Sequence, residues 1–145
     1  MAKFKLQTVL DYRYRLENIA AQRLADARIR EQAMQPQIAE SRADLHRLRK
    51  ELTQHQQIGI SVQQLQFYRH SIHHAQGRLR ALEKQAVKLG QEVEARRREL
   101  VEACRDKKLL ENLKEKQASE EAFETNRKED AQLDEIALRI GMVKS

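Results

Sequence analysis

The residues that could carry chemistry are few, and their spacing is poor for it. His70 and His74 stand four apart, so a helix would set them on one face with His73 beside them, a spacing that can chelate a metal ion. No carboxylate or cysteine lies close in sequence to complete a ligand set, so polar surface is the plainer reading and no metal site is assigned. Cys104 is the single cysteine, which excludes an internal disulfide and fits a reducing compartment. Carboxylates are plentiful, but general acid–base work needs a desolvated pocket to shift their pKa. There is no Gly-rich phosphate loop and no Ser-His-Asp logic, so neither a catalytic residue nor a cofactor is expected. Arg96, Arg97, Arg98, Arg105, Lys107 and Lys108 form a basic run that could meet phosphates. Glu92, Glu94, Glu99, Glu102 and Asp106 alternate through the same stretch and would repel them, and 4% aromatic leaves little to stack on bases. Nucleic acid is therefore not an expected partner.

The elements that must hold these residues are long helices. From Ile58 to Leu110, apolar residues recur in alternating steps of three and four: Leu65, Ile72, Leu79, Ala86, Val93 and Leu100 on one line, Tyr68, Ala75, Leu82, Leu89, Ala103 and Leu110 on the other. A seven-residue repeat held this long belongs to a helix that lies along another helix. Composition agrees: 145 residues with 4% aromatic, one Pro, four Gly, no Trp and 34% charged side chains give too little bulk for a compact core. Phe4, Leu6, Val9, Tyr12, Leu16, Ile19 and Ala20 suggest a second helix, continued through Leu24, Ala27, Met34, Ile38, Leu45, Leu48 and Leu52. Arg13 or Glu17 falls on its seam in one register, so the stripe is expected to drift between Tyr12 and Leu24. Pro36 deletes one backbone hydrogen bond and is expected to kink this helix without changing its register.

The break lies at His55 to Val62. Gly59 supplies a left-handed helix end, and Ser61 with Gln64 has capping-box spacing. A connector this short makes the helices antiparallel neighbours. The expected fold is all-α: a single antiparallel coiled-coil hairpin over residues 1–145, with helix 1 at about 4–55, the turn at about 56–61 and helix 2 at about 62–140. The second helix is longer, so folding at residue 58 puts Phe4 opposite Glu111 or Asn112 and leaves an overhang with Leu113, Phe123, Leu133, Ile136, Ile140 and Val143. Uncovered apolar residues at a helix end mean fraying or a partner molecule. Charge is divided unevenly. Residues 1–57 carry 11 basic and 7 acidic side chains, 58–117 carry 13 and 8, and 118–145 carry 4 and 7, so the overhang is the one acidic block. The start has no apolar run of signal-peptide length, and no window reaches the roughly 18 apolar residues of a spanning helix, so a cytoplasmic chain without membrane insertion is expected.

Three segments carry a family resemblance. Phe4-Lys5-Leu6-Gln7-Thr8-Val9-Leu10-Asp11-Tyr12-Arg13 opens the chain, and Gly59-Ile60-Ser61-Val62 with Leu65 and Tyr68 marks the turn. Leu109-Leu110-Glu111, Lys114-Glu115-Lys116-Gln117, Asn126-Arg127-Lys128-Glu129 and Asp134-Glu135-Ile136-Ala137 close it. In this order they resemble the bacterial flagellar export protein family FliJ over essentially the whole chain. The resemblance implies a non-enzymatic component of the flagellar type III export apparatus, similar to the gamma-type central stalk of rotary ATPases and peripherally associated with the inner-membrane apparatus. Its implied partners are the hexameric export ATPase and the cytoplasmic domain of the export gate, with a link to export chaperones. Carried onto this sequence, the ATPase-binding residues would be Phe4, Leu6, Leu10, Tyr12, Arg13, Phe123, Arg127, Asp134, Ile136 and Arg139. Those meeting the gate would be Leu48, Phe67, Tyr68 and Ile72; the sequence departs from relatives that have an aromatic where Ser71 stands. Leu6, Leu10 and Tyr12 also sit where they could simply pack within the hairpin. The alternatives are a generic coiled-coil scaffold and the stalk of a virulence secretion system.

Overall fold

Three residues reverse the chain. In the computed structural model, which describes residues 3–144, helix α1 covers Gln7–Ile58 (52 residues) and helix α2 covers Val62–Lys144 (83 residues), with no strand among the described residues. The side chains after Gly141, that of Val143 included, lie outside the described residues. Gly59 takes φ +119°, and its N–H donates to the His55 carbonyl at 2.9 Å, which ends α1. Ser61 then starts α2. The Gln64 N–H donates to Ser61 Oγ at 3.1 Å and the Ser61 N–H donates to Gln64 Oε1 at 3.3 Å, so both halves of the capping box are made.

The chain forms two compact units, residues 19–100 and residues 1–18 with 101–145. In the first, Ala20, Leu24, Ala27, Met34, Ile38, Ser41 and Leu45 are buried on α1, and Leu24 and Ala27 cluster with Val93, against which Leu100 packs. Arg30 Nη2 meets Glu92 Oε1 at 2.9 Å, Arg42 Nη2 meets Glu83 Oε1 at 3.4 Å, and the His55 ring lies 5.4 Å from that of Tyr68. Numbers rise along α1 as they fall along α2, so the helices are antiparallel. Pro36 lies inside α1 on its exposed side between buried Met34 and Ile38, and the three-and-four spacing passes through it unbroken.

In the second unit Leu10 is the most enclosed large side chain at 2% exposure. Here the structure corrects the expected seam. Leu6, Val9, Tyr12 and Ile19 are exposed by 40% or more, whereas the covered line runs from Leu10 through Arg13, Glu17 and Ala20 to Leu24. The stripe does not drift. Arg13 and Glu17 occupy seam positions because α2 sets Asp106 and Lys107 against them. The overlap is also longer than expected, since Tyr14, not Phe4, meets Glu111. The reason is the turn: α1 persists to Ile58 and α2 begins at Val62, so the reversal is centred beyond residue 58. The last partly covered positions on α2 are Gln117 and Glu121.

Candidate partner-binding surfaces

At the end of the hairpin away from the turn, the seam is polar where most of its length is apolar. Arg13 Nη1 meets Asp106 Oδ2 at 3.3 Å, and Lys107 Nζ lies 2.6 Å from the enclosed Glu17 Oε2. The same ammonium stands 5.3 Å from the centroid of the Tyr14 ring, and the Tyr14 hydroxyl donates to Glu111. Arg13 and Glu17 thus each have an opposite charge across the seam, which is what makes them tolerable there. The hydrogen bond to Glu111 holds the proton on Tyr14 and raises its pKa, with burial adding to the effect. The Glu17 carboxylate likewise raises Lys107, against the opposing effect of burial.

Beyond Glu121, α2 has nothing packed on it within its unit, and every residue from Ala122 to Gly141 is exposed. Phe123 (69%), Leu133 (62%), Ile136 (51%), Leu138 (67%) and Ile140 (52%) all face solvent there. Phe123 lines a surface groove with Lys116, Ser119, Glu120 and Glu124. Arg127 and Asp134 are exposed, and Arg139 Nη2 meets Glu135 Oε1 one turn earlier at 3.4 Å. Of the residues singled out near the start of the chain, Phe4 and Leu6 precede α1, the first half-buried and the second exposed; on α1, Leu10 is core, Tyr12 is exposed, and Arg13 is held by Asp106. The sequence names Glu17 only as a possible seam charge and Lys107 only as part of a basic run, and it does not pair Tyr14 with Glu111. The seam placement of Glu17 and Lys107 is readable in the seven-residue steps back from Leu24 to Glu17 and on from Leu100 to Lys107.

At the turn, Phe67 is 65% exposed and sets its edge against Tyr68 with ring centroids 5.7 Å apart. Leu48, Tyr68 and Ile72 are half-buried at seam positions. Phe67 is thus the member of that group with most area free for a partner. Among the described residues, no group of three or more His, Cys, Asp and Glu side chains is placed to hold a metal ion.

No curated protein and no solved structure matches the chain. The model of the family described as flagellar FliJ protein matches residues 2–145. An all-helical antiparallel hairpin with an uncovered second-helix end accompanies that match, and the chain belongs to the flagellar FliJ protein family.

Proposed function

We propose that this protein is a non-enzymatic coupling component of the flagellar type III export apparatus. Membership of the flagellar FliJ family makes it a flagellar export component. Its helix ends bind the hexameric export ATPase through Phe4 and Leu6 just before α1 and Tyr12 and Arg13 on α1, with Leu10 supporting them from within the hairpin, and through Phe123, Arg127, Asp134, Ile136 and Arg139 on α2. The turn region, with Leu48, Phe67, Tyr68 and Ile72, meets the cytoplasmic domain of the export gate. It works at the cytoplasmic side of the inner-membrane apparatus, and no described helix is long and apolar enough to cross a membrane.

One observation carries this reading: α2 runs on past its cover as an acidic helix with five large apolar side chains more than half exposed. Isolated helical segments gain little from propensity alone, so an apolar surface of this kind calls for a partner. The direct experiment replaces Phe123 and Ile136 together by Asp and measures ATP hydrolysis by the export ATPase with each protein added. Stimulation should be lost in the double variant while far-ultraviolet circular dichroism stays unchanged. Equal stimulation by variant and parent would reject the ATPase assignment.

A further inference from the structure

The overhang does not continue the seam that α1 covers. The covered line of α2 passes through Val93, Arg96, Leu100, Ala103, Lys107 and Leu110, and its last partly covered members are Gln117 and Glu121. Extended at the same spacing it reaches Glu124, Lys128, Ala131, Glu135 and Leu138, a mostly polar series. The other exposed apolar residues sit elsewhere on the seven-residue wheel. Leu133, Ile136 and Ile140 follow steps of three and four of their own, and Phe123 joins them on the side facing away from the seam. The centre of this second stripe is rotated roughly 150° from the first on a seven-residue wheel. A straight helix drifts only about 20° per heptad, so drift between Glu121 and Ile140 cannot carry one stripe into the other.

From this we infer that the export ATPase grips the outer face of the overhang, the side turned away from the line of α1, in an apolar groove with basic side chains beside it. The inference rests on the ATPase assignment proposed above and adds to it the face that is gripped. Its chemistry comes from that face: Glu129 and Asp130 lie on it between Phe123 and Leu133, in the one net-acidic block of the chain. A second copy extending the same coiled coil is the wrong occupant, because it would cover Glu124, Lys128 and Glu135 and leave Leu133, Ile136 and Ile140 in water.

Two full-length variants separate the faces. One changes Leu133, Ile136 and Ile140 to Ser; the other changes Ala131 and Leu138 to Ser on the seam line. Titrated against the purified hexameric ATPase, the outer-face variant should bind at least about 30-fold more weakly, since each truncated anchor removes up to roughly tenfold. The seam-line variant should stay within about threefold of the parent. Reversal of Glu129 and Asp130 to Lys should weaken binding and flatten its salt dependence. Comparable losses from the two faces, or a larger loss from the seam line, would overturn the outer-face assignment while leaving the ATPase as partner. Binding unaffected by either variant would overturn the overhang as the site, and a parent chain that does not bind the ATPase would overturn the proposed function itself. Circular dichroism of each variant shows that the helix is retained.

Discussion

Glu17 and Lys107 show, at the scale of single residues, how charge is accommodated on a helix seam. Either one alone would lose hydration without return, whereas opposed at 2.6 Å they offset much of each other's desolvation. Tyr14 completes the group by lying beside the ammonium and donating its hydroxyl proton to Glu111. Both titrating partners, Tyr14 and Lys107, have raised pKa values in the fold, so each favours the folded chain when protonated. That contribution is fully present below the ordinary values of about 10 and is lost as pH rises through the raised ones. The thermal midpoint should therefore fall above about pH 10, as followed by circular dichroism. In an absorbance titration, Tyr14 should ionise later than an ordinary tyrosine, and Tyr14→Phe should delete that late step. A Tyr14→Phe trace that keeps the late step would assign it elsewhere.

Among the elements, the turn and α2 matter most. Gly59 is the one described residue with positive φ, and a Cβ built there would meet nothing within 4 Å. The penalty for Gly59→Ala is accordingly a backbone one, about 1–2 kcal/mol, readable as a lower denaturant midpoint with an unchanged slope. Unaltered stability would mean that the turn tolerates another conformation. Helix α2 is one continuous element with two environments: covered by α1 as far as Glu121, then open. Propensity does not distinguish the two parts. The distinction lies in cover: beyond Glu121 nothing lies along the seam line, and Leu133, Ile136 and Ile140 stand exposed on the opposite face.

For the whole molecule, the decisive features are unequal helix lengths and unequal charge. Residues 1–57 and 58–117 are each net basic, and 118–145 carry 4 basic against 7 acidic side chains. A polar continuation of the seam disfavours self-association through the overhang as an extended coiled coil. Sedimentation velocity at tens of micromolar should give a monomer at moderate salt. A concentration-dependent dimer would instead favour a self-associating scaffold, and loss of that dimer in the outer-face variant would locate it.

Much of this architecture could be read from one sequence because it depends on local spacing. The heptads of α2, the glycine that ends α1, the capping box at Ser61 and the greater length of the second helix are all properties of neighbouring residues. The start of α1 was not legible in the same way. Leu6, Val9, Tyr12 and Ile19 offered an apolar line as plausible as the one through Leu10, Arg13, Glu17 and Ala20, and the apolar line was the wrong choice. A charge belongs on a seam only when its opposite stands across from it, and that is a property of two distant segments brought together. The sequence by itself thus determined the helices, their reversal and the family. Only the tertiary structure decided the register of Tyr14 on Glu111, the charged seam and where cover ends on α2, because each depends on pairwise contacts between residues some ninety or more positions apart.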